Sequence, residues 1–348
     1  MQKNSNTENE NSDYCKNNFV KNVENNSNRE KDNSDSGKNN FVTNIEKNSE
    51  KNISSLEINN DNSELNKTKT NKKNRSDLFI RLRSGAIYFA VVIVASLTGN
   101  IPTMIMLSLA AGISVYEFFL MLRSDAKLPN EVLGILGAAF FPISYYFFGI
   151  KGIIFVSAIL ILCLFVWYVF WLHARIADVC ISFFGSFYWG FSLTCLLAIR
   201  VSIPSGEFFG GLFIVFLLIA VSVNDGFAYL FGKAFGKHRM SPHISPKKTW
   251  EGFFAGMIFS TSTWFLLLIF PGIEISIFQC IIFGIAISIV GVLGDLVESR
   301  MKRNSGVKDS GKLMPGHGGL LDRIDSMSLV AIVCALFFFT FGCIPFTF

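Results

Sequence analysis

About nine apolar stretches, most of them close to the 20 or so residues that a helix needs to cross a bilayer, occupy this chain from residue 84 onward. They fall at 84–97, 101–122, 131–148, 152–172, 176–199, 208–231, 253–270, 275–296 and 326–345. The pattern predicts an all-α integral membrane protein of about nine transmembrane helices. The first stretch is short, and Gly99-Asn100 with Pro102 makes a tight turn into the second. Gly149 and Lys151 part the third from the fourth, which could otherwise be counted as one long helix.

Residues 1–76 are of a different kind, nearly all Asn, Lys, Glu, Ser and Asp. Such a segment cannot bury enough apolar surface to offset the entropy of ordering, so it reads as a disordered tail ahead of a membrane domain at 77–348. Asn11-Ser12-Asp13 with Lys16-Asn17-Asn18-Phe19-Val20 recurs as Asn33-Ser34-Asp35 with Lys38-Asn39-Asn40-Phe41-Val42. Two polar copies with a period of roughly 22 residues cannot stack a solenoid core. No apolar h-region marks a signal peptide, and the many acids argue against a transit peptide. The seven cysteines lie mostly in apolar runs, without a CxxC or a Cys/His cluster, and read as small buried hydrophobes.

Basic residues in short loops set orientation. With Lys72, Lys73, Arg75, Arg81 and Arg83 inside, the later inner loops carry Arg123, Lys127 and Arg175, then Lys233, Lys237, Arg239, Lys247 and Lys248, and last Arg300 to Arg323. The outer loops keep only Lys151 and Arg200. The expected topology is N-terminus inside and C-terminus outside, with both long polar loops on the cytosolic face.

The densest chemistry begins at Gly294. If the eighth helix continues, Asp295, Glu298, Ser299 and Lys302 share one face at i, i+3, i+4 and i+7, followed by Arg303. Lys308-Asp309-Ser310 and His317-Gly318-Gly319 come next, and Asp322-Arg323-Ile324-Asp325-Ser326 opens the last helix, with Asp322, Asp325 and Ser326 on one face. Acids at the ends of two neighbouring helices are the hard oxygen donors that Mg²⁺ takes together with substrate phosphates. An acid at the inner end of an apolar helix is costly and usually functional, which singles out Asp295. Asp325 has an equally good reading as a helix cap. Residues 306–313 nearly spell a phosphate-binding P-loop, but Leu313 stands where the Ser or Thr belongs and no strand precedes it.

A second block lies at 224–252. Asn224 and Asp225 interrupt an apolar span and must face protein or water, as a ligand contact or as a helix–helix hydrogen bond. Ser245-Pro246 reads as a helix start, with Ser as cap and Pro at the first helical position. Lys247 and Lys248 beside it suit a phosphate, although they also fit as interfacial anchors with Trp250 and Tyr229.

The run from Ser299 to Ser326 resembles the signature of the phosphatidate cytidylyltransferases. The block from Asn224-Asp225 through Ser245-Pro246-Lys247-Lys248 to Gly252, and Arg83-Ser84-Gly85, are similar to further segments of that family. The resemblance covers residues 81–346 and implies transfer of CMP from CTP to phosphatidate, giving CDP-diacylglycerol and pyrophosphate. It implies Mg²⁺, with room for a second cation, held by Asp295 and Asp322 with Glu298 and Asp309 as further ligands or orienters. Lys302, Arg303, Lys308 and Arg323 are then candidates to meet the leaving pyrophosphate. Asn224, Asp225, Ser245, Lys247, Lys248, Ser299, His317, Gly318 and Gly319 are candidates to bind substrate. The bilayer and a second copy of the chain are further candidate partners, and nucleic acid is not. The expected location is a bacterial inner membrane or an organellar one. The alternatives are cytidylyl transfer to an isoprenoid-glycerol phosphate, and a secondary transporter. Against the transporter, the acids lie at a helix end rather than at mid-membrane.

Overall fold

The computed structural model describes residues 83–123, 129–307, 309–311, 313 and 318–344. The segment 1–76, Lys308 and His317 lie outside the described residues. Nine helices run through the described part: α1 Arg83–Thr98, α2 Asn100–Arg123, α3 Glu131–Phe148, α4 Ile150–Phe170, α5 Ile176–Ser202, α6 Glu207–Phe235, α7 Trp250–Trp264, α8 Ile277–Asn304 and α9 Leu321–Phe341. A 3₁₀ turn, Phe265–Ile269, extends α7. Eight of these are long and apolar enough to cross a membrane, so the chain is a multi-pass membrane protein. α7 reaches that length with its 3₁₀ extension, as Trp250–Ile269, whereas α1 spans about 24 Å at 1.5 Å per residue, against a hydrocarbon core of about 30 Å.

Local chemistry explains the boundaries. Asn130 caps α3 by accepting from the Leu133 amide at 3.0 Å. Gly149, at φ 59°, ends α3 and opens α4, because only glycine takes that left-handed turn without strain. Ser276 and Gln279 close a reciprocal capping box at the start of α8, with bonds of 3.3 and 2.8 Å. From there α8 runs through its charged residues to Asn304, so Asp295, Glu298, Ser299 and Lys302 do share a face.

One expectation needs correction. The helical bundle carries a short hairpin, in which β1 Arg239–Ser241 pairs antiparallel with β2 Ser245–Thr249. Ser245 and Pro246 therefore stand in a strand and start no helix. A two-stranded ribbon tolerates Pro246 because an edge position has no ladder bond to give. Thr249 is the cap, accepting from the Gly252 amide at 3.3 Å. The Glu251 carboxylate takes the His238 amide and imidazole, which ties the base of the hairpin to α7. As the sequence suggests, the last helix opens on the charged segment itself, at Leu321, so that Asp322 and Asp325 sit on its first two turns.

α2, α3 and α5 pack on one another, α6 packs on α7, and α9 packs between α8 and α5. Small residues set the α6–α7 approach: a Cβ on Gly252 would meet the Ala228 carbonyl, and one on Gly256 the Asn224 carbonyl. The core holds an aromatic cluster of Phe216, Trp264, Phe283 and Phe338. α4 is buried only along one narrow edge, through Gly152, Leu160 and Leu164.

Candidate functional site

Four elements converge at one end of the bundle: the C-terminal half of α6, the hairpin, the C-terminal third of α8 and the first two turns of α9. They enclose a cavity of about 470 Å³. α6 contributes Asp225 and Tyr229; the hairpin contributes Met240, Lys247 and Lys248; α8 contributes Asp295 and Lys302. α9 adds Asp322, Arg323, Asp325 and Ser326, and Asp309 enters from the α8–α9 loop.

The charges are organised in pairs. Lys248 Nζ lies 2.7 Å from Asp295 Oδ2, and the Ser299 hydroxyl donates to the other oxygen at 3.0 Å. Lys302 bridges two acids, 2.6 Å from Asp322 Oδ1 and 3.1 Å from Glu298 Oε1. The Glu298 contact is an ion pair without hydrogen-bond geometry, and both Glu298 oxygens are buried without a hydrogen-bond partner among the described residues. Asp322 Oδ2 accepts from the Ser310 amide at 3.1 Å, the Ser310 hydroxyl at 2.9 Å and the Gly319 amide at 2.9 Å. Asp325 accepts from the Ser326 amide at 2.6 Å, so it is no helix cap. Asp225, Asp295 and Asp325, from three helices, lie within electrostatic reach of one another.

Oxygen-only donors of like charge suit a hard cation. Among the described residues no three acidic, His or Cys side chains come together as a complete cage. Mg²⁺ does not require one, since one or two carboxylates suffice when substrate phosphates complete the shell. The donor set fits such an ion on that basis, with Asp295 on one wall and Asp322 and Asp325 on the other.

Of the residues singled out in the sequence, Asp225, Lys247, Lys248, Asp295, Lys302, Asp309, Asp322 and Arg323 line the cavity. Asn224 is buried behind Asp225 against α7, its Nδ2 without a hydrogen-bond partner among the described residues. Ser299 serves Asp295, Gly319 serves Asp322, and Glu298 stands enclosed behind Lys302. Ser245, Arg303 and Gly318 do not border the cavity. The two lysines of the hairpin also part company: Lys248 is held by Asp295, whereas Lys247 is exposed at the cavity mouth.

Two contributors escaped the sequence reading. Glu117 of α2 is 2% exposed and reaches the α8–α9 loop from the far side. Its signal was available, an acid within an apolar run, the same one that marked Asp295. Tyr88 of α1 had no comparable signal. It lines a cavity of about 270 Å³ that shares Asp225, Asp322, Arg323, Asp325 and Ser326 with the charged one. That intermediate space in turn shares Tyr88, Leu218 and Met327 with an apolar cavity of about 780 Å³ between α1, α2, α5, α6 and α9. Polar and hydrocarbon-lined spaces thus adjoin in series.

Comparison with known proteins matches residues 79–341 to a profile described as the cytidylyltransferase family. Over 118 residues, 34% of the chain, it is 48% identical to a phosphatidate cytidylyltransferase of Staphylococcus saprophyticus. Over the same length it is 47% identical to the protein of that name from Staphylococcus haemolyticus and 45% to that from Staphylococcus aureus. The aligned stretch spans 45% of each of these relatives, a little under half their length.

Proposed function

Because the chain belongs to the cytidylyltransferase family, we propose that it transfers CMP from CTP to phosphatidate, releasing pyrophosphate and leaving CDP-diacylglycerol in the membrane. The observation that carries this reading is the series of adjoining cavities. A substrate with hydrocarbon tails and a phosphate head needs an apolar space close to a charged one, and Tyr88, Leu218 and Met327 line both the apolar space and the intermediate one that borders the charged cavity.

A phosphate monoester is already anionic near neutral pH, so its attacking oxygen needs no general base. The difficulty is that one anion must approach another in line with the leaving group. Lys302, fixed between Glu298 and Asp322, and Arg323 beside it supply preorganised positive charge for the pyrophosphate that leaves. Arg303 and Lys308 belong to the same basic run and are further candidates. Lys247 at the mouth is suited to an incoming phosphate. Lys248 acts with Asp295, keeping its carboxylate aimed into the cavity. Asp295 and Asp322 would hold Mg²⁺ together with the substrate phosphates, and Asp309 at the rim would assist; Glu298 reaches the site only through Lys302. What a divalent ion supplies when bound is neutralisation of the phosphate charges between these walls.

Basic residues gather at the cavity end of the bundle, which by the positive-inside rule supports a site on the cytosolic face, where CTP is found. The test is a reconstituted assay with purified full-length protein in detergent–lipid micelles, phosphatidate, Mg²⁺ and radiolabelled CTP. Label should enter the lipid fraction with one pyrophosphate released per lipid, and chelation should stop it. A fraction that stays unlabelled with phosphatidate present would overturn the reading.

A further inference from the structure

We propose that Glu117 is a positioning residue that clamps the α8–α9 loop and the first turn of α9 in the arrangement that faces the charged cavity. It does not line the cavity itself. Its Oε2 accepts from the Leu321 amide at 2.8 Å and lies 3.4 Å from the Ser310 hydroxyl. A helix begins with amides that have no partner inside it, and α9 receives no side-chain cap from its own N-cap residue, Leu320. Glu117 brings a carboxylate from 204 positions away in sequence to do this, on the side where the helix dipole favours negative charge.

The same loop is gripped from its other side by Asp322, through Ser310 and Gly319. Two carboxylates therefore hold Ser310 and the backbone at Gly319 and Leu321, and Asp322 in turn holds Lys302. The fit between loop and acid is close. A Cβ on Gly311 would lie 2.5 Å from Glu117 Oε1, its three nearest neighbours all being Glu117 atoms, and one on Gly319 would fall on Oε2. Burying an acid at the end of a membrane helix is costly unless it is bonded, and these bonds are what Glu117 obtains in return. Loss of the clamp frees Asp322 and Lys302 to drift by the small distances that matter to in-line transfer.

The consequence for turnover rests on the proposed cytidylyl transfer; the clamp itself does not. Glu117→Gln keeps one side-chain carbonyl for the Leu321 amide, whereas Glu117→Leu keeps the bulk and loses the acceptor. Full-length variants in micelles should show Glu117→Leu losing about 10- to 150-fold in kcat, with KM for CTP moving far less, and Glu117→Gln recovering most of it. Hydrogen exchange over residues 318–325 should accelerate in Glu117→Leu and not in Glu117→Gln. Gly311→Ala should lower kcat in the parent chain and add little to Glu117→Ala, where the space it needs is vacant. Wild-type kcat with unchanged exchange in Glu117→Leu would overturn the proposal. So would a Gly311→Ala penalty of equal size in both backgrounds. An inactive parent chain would count against the reaction, and exchange would then judge the clamp alone.

Discussion

Glu207 and Asp225 stand on one helix, α6, about 27 Å apart along its axis, and their surroundings could hardly differ more. At the first end Glu207 accepts from the Asn100 side chain at 2.9 Å and from its amide at 3.3 Å. Arg200, 1% exposed, donates from Nη2 to the carbonyls of Ser96 and Glu207 at 2.9 and 3.3 Å. These groups stitch the ends of α1, α2, α5 and α6 together. At the second end Asp225, Asp295, Asp322 and Asp325 gather around an open space, with Lys248 and Lys302 among them. Polar residues at helix ends are thus no marker of function in themselves. Those that converge on one another hold the bundle together; those that converge on a shared cavity, with like charges kept close, are arranged for a third party.

The sharpest way to break this contrast is Asp295→Asn. It should cost more than about 100-fold in CMP transfer, beyond the usual loss for a group that merely supports a metal ligand, while membrane insertion stays intact. Near-normal turnover would remove Asp295 from the site. Lys302→Gln comes next: kcat should fall about 10- to 150-fold, and the unfolding midpoint should fall too, since Glu298 and Asp322 lose their common partner. Lys247→Gln at the mouth should mainly raise an apparent KM, by about tenfold or less, with kcat little changed. If Lys247→Gln lowered only kcat, or Lys302→Gln raised only KM, the division between mouth and wall would be wrong. At the other end of α6, Arg200→Leu should leave kcat unchanged and destabilise by about 1–3 kcal/mol, read as a lower unfolding midpoint. A kcat loss there without a stability loss would erase the distinction between the ends. The smallest effect is expected from deleting residues 1–73, whose polar, repetitive sequence lies outside the family match; turnover in inserted protein should not change.

Much of the bundle was legible from hydropathy alone. Eight of the nine apolar stretches correspond to helices long enough to cross a membrane, and α3 has the very limits of its stretch, Glu131–Phe148. Such agreement has a physical cause: in hydrocarbon the backbone must satisfy itself locally, so composition nearly dictates conformation. The misjudged segment lies where water returns. The hairpin at 239–249 is built from polar residues, for which several local structures compete and tertiary bonds decide. His238 with Glu251 is such a bond.

By itself, then, the sequence determined the number and rough placement of the spans, the shared face from Asp295 to Lys302, and the concentration of chemistry after Gly294. Helical periodicity and the cost of charge in lipid are properties of local sequence. Only the tertiary structure decided that Lys248 pairs with Asp295 while Lys247 does not, that Asp225 and Asp325 face the same space, and that a glutamate from α2 caps α9. Those pairings join residues from 47 to 204 positions apart, Lys248 with Asp295 at the near limit and Glu117 with Leu321 at the far one. No rule of spacing reaches that far; helix packing sets them, because it determines which side chains meet at the bundle's charged end.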